Sequence, residues 1–416
     1  MSSSQTRVVV TGLGAVSPVG NDVESCWQSL LAGKSGIGPV TRFDATNFRC
    51  RIAGEVKNLN IESYMDGKEA KRLDLFCHYA VAASDEALAQ AGLADMEGED
   101  PTRVGVIVSS GIGGLTTIED QILTLSSHGP TRVSPLSIPM MISNMASGYI
   151  AIRHHLQGPN YCIVTACASG LHSIGEAYWM IVRGDADVMV CGGSEAVVEP
   201  FSLAGFGSMR ALSARNDDPE HASRPFDKER DGFVPAEGAG VLVIESEEHA
   251  KKRNANILAE LVGYGLSADA HHITAPAENG EGGQRAIKMA FKHAGRPYDE
   301  LDYVNAHGTS TRLNDLTETL CLKGVLGEKA RHVAISSTKS MTGHMLGAAG
   351  GFESVVCIKS IMHGIVPPTT NYVVPDPECD LDYVPNEARE MDVSLVLNNN
   401  LGFGGHNASV LFAKYH

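Results

Sequence analysis

Short apolar runs alternate with helical stretches along the whole chain, and this alternation constrains the fold more than any other feature. Each run has the length and β-branched content of a buried strand, and strands that alternate with helices imply parallel sheets covered on both faces. The predicted strands are 7–11, 104–108, 187–190, 240–244, 257–264, 301–304, 333–336, 394–398 and 409–412. The predicted helices are 22–31, 69–92, 247–253, 283–294, 315–326 and 343–363. The pattern predicts an α/β protein.

The chain is too long for one ordinary core, because 416 residues exceed the usual domain size. The strand–helix pattern restarts near residue 255, so we expect a first unit over 1–255 and a second over 256–416. Within the first unit, 201–236 is charged and irregular, which indicates an insertion.

The charge balance argues against a partner held by its phosphates. Asp and Glu number 49 against 33 Lys and Arg, whereas proteins that grip nucleic acid by charge lean the other way. No apolar run reaches the roughly 18 residues of a membrane helix. The first residues contain no apolar segment of a secretory signal, and they are too short for a transit peptide. We therefore expect neither a nucleic-acid nor a membrane partner.

The nine cysteines form no CxxC pair, and their number is odd. This argues against a disulfide framework and a structural zinc site, and favours reduced thiols in a cytoplasm-like compartment. Cys167 stands out because an apolar stretch, 161–165, leads into small residues and then into a helix. Backbone N–H groups and the dipole at a helix N-terminus lower a thiol pKa from about 8.5, which predicts a nucleophile. The alternative is a small buried hydrophobe, the interpretation we give to Cys162.

Two histidines have matching settings in the second half. His307 follows the strand 301–304 and His344 follows the strand 333–336, where it is predicted to open the helix 343–363. Ligands of open α/β sheets bind beyond the carboxyl ends of parallel strands, so both histidines are candidate catalytic groups, although each alone is more often structural. Lys339 and Glu353 are the candidate charged pair behind them, or an ordinary ion pair.

A glycine-rich turn over 398–407 follows the next strand. One N–H from this turn and one from Cys167 would form an oxyanion hole, unless the segment is a plain hairpin turn. Two glycine-containing segments do not match nucleotide-binding motifs. Segment 8–14 lacks the third glycine and the acidic partner of a dinucleotide fingerprint. Segment 111–114 lacks the lysine of a phosphate loop.

Four motifs together resemble the β-ketoacyl-acyl carrier protein synthases, and most closely the elongating Cys-His-His type, synthase II. They are TACASG (165–170), NAHGTST (305–311), STKSMTGH (337–344) and NNLGFGGHN (399–407). The resemblance is collinear over nearly the whole chain. It implies the thiolase-like fold, two similar βαβ-rich halves stacked as five α-β-α-β-α layers. It also implies a homodimer whose partner chain closes the acyl tunnel near Leu136, Ser137 and Ile138.

The resemblance also implies residue roles. Cys167 would accept the acyl group, His307 and His344 would flank the malonyl carbonyl, and Lys339 would pair with Glu353. The remaining implied roles are a gate and oxyanion donor at Phe403, pantetheine contacts at Thr309 and Thr311, and carrier-protein docking at Lys68, Lys71 and Arg72. The three docking residues are otherwise a solvated helix face.

The implied reaction is a decarboxylating Claisen condensation of an acyl-enzyme thioester with malonyl-acyl carrier protein. It yields a 3-oxoacyl-acyl carrier protein and CO₂ in fatty acid elongation, so the chain would be an acyltransferase that uses no cofactor or metal. A polyketide ketosynthase has the same chemistry. A non-catalytic chain-length partner would lack Cys167, and a thiolase would carry a second cysteine in the last turn. The implied location is the bacterial cytoplasm, or a plastid for a processed form.

Three positions depart from the family pattern. Leu401 stands where the family has a phenylalanine and Asn400 where it has a serine, while Arg312 replaces the usual proline after HGTST. These departures affect the gate and the pantetheine channel and leave the chemical residues unchanged.

Overall fold

The computed structural model describes residues 6–416, and a nine-stranded mixed sheet organises them. The strands are β1 (Val8–Val16), β2 (Gly38–Pro39), β3 (Ile52–Ala53), β4 (Val104–Ser109), β5 (Val188–Glu195), β6 (Gly238–Ser246), β7 (Ala259–Ala268), β8 (Tyr303–Asn305), β9 (Ala334–Ser336), β10 (Ile365–Val366), β11 (Arg389–Glu390), β12 (Leu395–Gly402) and β13 (His406–Ala413). The main sheet has the order β4-β5-β6-β1-β7-β13-β12-β8-β9, and β2 pairs with β3 and β10 with β11.

The helices cover this sheet. They are α1 (Val23–Leu31), α2 (Gly67–Ala70), α3 (Leu75–Ala91), α4 (Leu115–His128), α5 (Ser137–Met141), α6 (Met145–His154), α7 (Ser169–Arg183), α8 (Pro200–Ser208), α9 (Glu247–Lys252), α10 (Glu281–Ala294), α11 (Arg312–Leu326), α12 (Lys339–Thr342) and α13 (Ala349–His363). No helix within residues 6–416 has both the length and the apolar character that crossing a membrane requires.

The two halves of the sheet repeat one strand arrangement. In the first half β4 is parallel to β5, β5 is antiparallel to β6, and β6 is antiparallel to β1. In the second half β8 is parallel to β12, β12 is antiparallel to β13, and β13 is antiparallel to β7. The expectation of purely parallel sheets is therefore wrong, because each half turns back on itself through two antiparallel strands.

Helices α7 and α13 form the layer between the two half-sheets. α13 packs against α7, β5, β6 and β12, while α3 covers β1 and β6 from outside and α10 covers β7 and β13. Every residue of α13 from Ala349 to Ile361 is buried, so its small residues are required for close packing. A Cβ on Gly351 would lie 2.1 Å from the Gly240 carbonyl oxygen.

Several predicted boundaries differ from the structure. Gly12 and Gly14 continue strand β1 and form no turn, because α3 packs so closely that a Cβ on Gly14 would lie 1.7 Å from the Ala83 oxygen. The predicted helix 69–92 is broken between α2 and α3, where the Asp74 carboxylate accepts hydrogen bonds from Thr117. The segment 161–165 forms no regular strand; only neighbouring Asn160 bridges to Val106.

Candidate active site

Cys167 lies at the turn that begins the central helix α7, as predicted. A single 3-10 turn, Ala166–Ala168, precedes the helix, and Ala166 adopts a left-handed φ of 51° that is unusual for a residue with a Cβ. The thiol is buried, with 6% of the residue exposed, and it borders a cavity. The backbone N–H of Phe403, in the turn between β12 and β13, donates to its sulfur.

The two histidines come from the other half of the chain and meet the thiol. His307 follows β8, and its backbone N–H donates to Glu318 at 2.8 Å. His344 does not open a helix as predicted; its segment bridges to Pro235, and its N–H donates to the Val234 oxygen. The two rings stand nearly perpendicular with centroids 5.2 Å apart. The Cys167 Sγ and one nitrogen of each ring all lie within 4.8 Å of one another.

A buried ion pair supports this group. Lys339, the first residue of α12, contacts the carboxylate of Glu353 in α13, and both residues are about 1% exposed. The Asn400 amide donates to the other oxygen of Glu353 at 2.8 Å. Asn400, one of the three departures from the family pattern, therefore contributes a hydrogen bond to this pair.

Burial sets the protonation of the site. Burial, followed by the Lys339 charge, lowers the pKa of His307 and His344 well below the ordinary histidine value, so both rings are neutral near pH 7. Burial also raises the pKa of Cys167 to about 11, although Lys339 and the Phe403 N–H act in the lowering direction. The predicted low thiol pKa is wrong in this structure, because desolvation outweighs the neighbouring positive charge and donors.

A cavity of about 580 Å³ connects the group with the surface, a size typical of ligand sites. Besides Cys167, His307 and His344, its lining includes Thr309, Thr311, Leu401, Phe403 and Arg312. The Thr309 and Thr311 hydroxyl oxygens lie 3.0 Å apart. The predicted pantetheine and gate residues thus share one cavity with the thiol.

The other predicted residues lie elsewhere. Lys68, Lys71 and Arg72 are exposed on and just after α2, and they do not line this cavity. Ser137 begins α5 and is buried, while Leu136 and Ile138 are 37% and 62% exposed. These three residues do not line the cavity within this chain either.

Two buried carboxylates of the site were missed by the sequence reasoning. Glu318 accepts hydrogen bonds from the N–H groups of His307 and Gly308. Glu195, at the end of β5, accepts from the N–H groups of Gly111, Ile112 and Gly347. Glu195 could have been found from its place just after the apolar run 188–193. A carboxylate buried at the end of a strand needs hydrogen-bond donors, so it indicates a polar site there.

A thiolate and two imidazoles are also a plausible ligand set for zinc. The ammonium of Lys339 acts electrostatically on all three groups, and it would repel a dication placed among them. The arrangement fits covalent chemistry on sulfur better, and the absence of a resident metal stays a prediction.

Comparison with known families decides the class. The N-terminal domain of the β-ketoacyl synthases matches residues 5–250, and their C-terminal domain matches residues 258–373. The chain belongs to the β-ketoacyl synthase family. Among its relatives in this family, the 3-oxoacyl-[acyl-carrier-protein] synthase 2 of Synechocystis sp. is 53% identical over 98% of both chains. The enzyme of the same name from Staphylococcus aureus strain N315 is 52% identical over 99% of both.

Solved structures of this family have the same fold. A β-ketoacyl synthase from Burkholderia phymatum superposes with a TM-score of 0.92 at 35% identity, covering 99% of this chain and all of the other. A ketosynthase from a complex with its type II polyketide acyl-carrier protein gives the same TM-score, identity and coverage. These matches confirm the predicted family, the thiolase-like fold and the acyltransferase class, with the chemistry of a 3-oxoacyl-[acyl-carrier-protein] synthase.

Proposed function

We propose that this chain elongates fatty acyl groups by decarboxylating Claisen condensation, with Cys167, His307 and His344 as its catalytic residues. The observation that carries the assignment is the convergence of one sulfur and two ring nitrogens within 4.8 Å on one cavity. A nucleophile that holds the acyl group splits one difficult reaction into two easier steps.

In the first step the Cys167 sulfur attacks an acyl thioester, and the thiol proton leaves with the carrier's sulfur. A thiol with a pKa of about 11 is protonated at pH 7, so its proton must move during the attack. The neutral imidazoles are acceptors within reach. The N–H groups of Cys167 and Phe403 are proposed to stabilise the oxyanion.

In the second step a malonyl thioester loses CO₂, and the resulting enolate carbon attacks the acyl-cysteine carbonyl. The carbon–sulfur bond to Cys167 then breaks, the sulfur leaves as a thiolate that is reprotonated, and a 3-oxoacyl thioester two carbons longer is released. The charge develops on the enolate oxygen, where N–H donors from His307 and His344 stabilise it in a site poor in water. Burial, followed by the charge of Lys339, keeps both rings neutral. Glu353 pairs with Lys339 beside the rings. A neutral imidazole retains one N–H group, and that group can donate to the enolate oxygen.

The partner proposals rest on similar proteins and on the exposed surface of this chain. Acyl carrier protein is the proposed carrier, since similar proteins are named for it or were solved in complex with it. The exposed Lys68, Lys71 and Arg72 suit an acidic docking partner. A homodimer would cover the apolar side chains exposed at Leu136 and Ile138. Bacterial relatives support a cytoplasmic location.

The proposed division into units 1–255 and 256–416 is supported by family matches that end at residue 250 and resume at residue 258. Each unit would then supply one half of the repeated strand arrangement.

Fatty acid elongation is favoured over a polyketide pathway by identity. The synthase 2 relatives are 52–53% identical, whereas the polyketide ketosynthase complex is 35% identical.

The test is mass spectrometry of the intact protein after incubation with acyl-acyl carrier proteins of graded length, followed by addition of malonyl-acyl carrier protein. We expect one acyl adduct on Cys167 and then release of a product two carbons longer. An adduct on another cysteine, or a loaded protein that never condenses, would contradict the assignment.

A further inference from the structure

Arg312 is an arginine without an acidic partner on the wall of the catalytic cavity. It is the first residue of α11, and its side chain is exposed where the cavity opens. Its Nε donates to the Arg230 carbonyl oxygen at a long 3.4 Å. Within residues 6–416, no carboxylate oxygen lies within 4.0 Å of its guanidinium, so Arg312 lines the cavity without an ion pair.

The acidic groups around Arg312 are bound to other partners. Asp315 and Asp376 pair with the buried Arg230. Asp231 and Asp269, the acids that line the cavity, accept hydrogen bonds from the backbone N–H groups of Ala214 and Ala277. A structural ion pair therefore does not account for Arg312, whereas a negatively charged ligand would.

Polar residues that line the cavity differ in solvent exposure, from the buried thiol to the exposed Arg312. Cys167, His307 and Thr309 are 6%, 2% and 6% exposed, Thr311 is half-buried, and Arg312 is exposed. All five line the same cavity. A pantetheine arm whose thioester lies at Cys167 would pass Thr309 and Thr311, and it would present its phosphate at the rim beside Arg312.

We propose that Arg312 binds the phosphate of the phosphopantetheine arm; this rests on the function proposed above. A guanidinium offers two parallel N–H donors that match two phosphate oxygens, which gives direction as well as attraction. Proline, which the family resemblance places here, has no donor. The contact would thus be an addition of this chain to the family's channel.

Two variants remove the charged guanidinium with little cost to the fold. Arg312→Gln keeps a polar chain without charge. Arg312→Pro is compatible with the backbone, because proline suits the first helical position and Thr311 before it is already extended, with φ −97° and ψ 144°. Arg296→Gln is the matched control: Arg296 is an arginine that pairs with Glu300 on the surface and does not line the cavity.

The experiment compares malonyl-4′-phosphopantetheine with malonyl-pantetheine, which lacks only the phosphate, as condensation partners of the pre-acylated enzyme. Malonyl-acyl carrier protein forms a third arm. In the unmodified protein we expect the phosphate to lower KM by about 5–20-fold, the range for a partly exposed charged hydrogen bond. Both Arg312 variants should lose most of that preference without a matching fall in kcat, and Arg296→Gln should keep it.

The outcomes separate two failures. If the variants raise KM equally for both small substrates, or change neither, the phosphate contact is wrong while the condensation stands. If only malonyl-acyl carrier protein is affected, Arg312 contacts the carrier's protein surface and the phosphate proposal is again wrong. An unmodified protein that takes up no acyl group contradicts the proposed function itself.

Discussion

The turn before α7 and the turn before α13 are built alike and used differently. Each is a three-residue 3-10 turn, Ala166–Ala168 and Leu346–Ala348, whose first residue has a left-handed φ of 51° or 45°. Each leads into a helix of 15 residues that ends at a left-handed glycine. The middle residue is Cys167 in the first turn and Gly347 in the second.

The difference shows how a repeated fold makes one site from two similar turns. The Gly347 N–H donates to the Glu195 carboxylate, so the donors of the second turn hold an anion that belongs to the protein. No side chain fits there, because a Cβ on Gly347 would lie 2.4 Å from the Gly111 nitrogen. In the first turn a cavity borders the thiol instead, which leaves room for an acyl group.

The largest expected effect comes from making the first turn resemble the second. Cys167→Gly should abolish acyl loading and condensation, because no nucleophile remains, while the fold persists. Intact-protein mass spectrometry after incubation with acyl-acyl carrier protein checks this, with Cys162→Ala as the control that still loads. Acylation of the Cys167→Gly protein would contradict the proposal that the first turn carries the acylated residue.

His344→Ala should lower the condensation rate by about 10²–10³-fold, the usual cost of losing one donor to a developing oxyanion. Self-acylation should fall less, since the enolate forms only in the second step. Single-turnover measurements of each half-reaction test this, with the exposed His128→Ala as the control. An equal loss in both steps would give His344 a different role.

Gly347→Ala should lower the free energy of unfolding by about 1–3 kcal/mol, because the added methyl group meets backbone and the Glu195 carboxylate. Gly205→Ala in α8 is the matched control, since nothing lies within 4 Å of its added Cβ. Urea denaturation measures both. Equal stability of the two variants would mean that the second turn has room for a side chain.

The pH dependence of the thiol gives a smaller effect. A pKa raised to about 11 means that the thiolate fraction of Cys167 increases through pH 7–10, so alkylation by iodoacetamide should accelerate about tenfold per pH unit there. On the acid side the folded histidines resist protonation, so stability should decrease as the pH falls below the unfolded histidine pKa of about 6.5. A plateau of alkylation near pH 7 would contradict the raised thiol pKa.

The smallest effect concerns the surface away from both turns. Changing Lys68, Lys71 and Arg72 together to Glu should raise KM for carrier-bound substrate several-fold, because like charges would then meet an acidic carrier protein. KM for malonyl-4′-phosphopantetheine should not change. An unchanged KM with the carrier protein would remove these residues from docking.

The sequence predicted most elements and the position of Cys167 at the start of a helix, since both depend on local patterns. The helices 22–31 and 247–253 differ from α1 and α9 by one residue, and Asp22 and Ser246 cap them through side-chain hydrogen bonds. Helix 343–363 was predicted too long, because small residues suit a helix and equally suit the tight turn at Leu346–Ala348. Local pattern does not distinguish the two.

By itself, the sequence predicted which side chains are candidates for the chemistry: one cysteine at a helix start, two histidines beyond strand ends, and an acid and a lysine to pair. Tertiary structure decided their electrostatics. The thiol pKa is raised and both histidine pKa values are lowered because the site is buried, and burial arises from packing two half-sheets on α7 and α13. The Glu195 carboxylate accepts a hydrogen bond from the Gly347 N–H, although the two residues are 152 positions apart in the sequence. Only the folded structure brings such distant groups together.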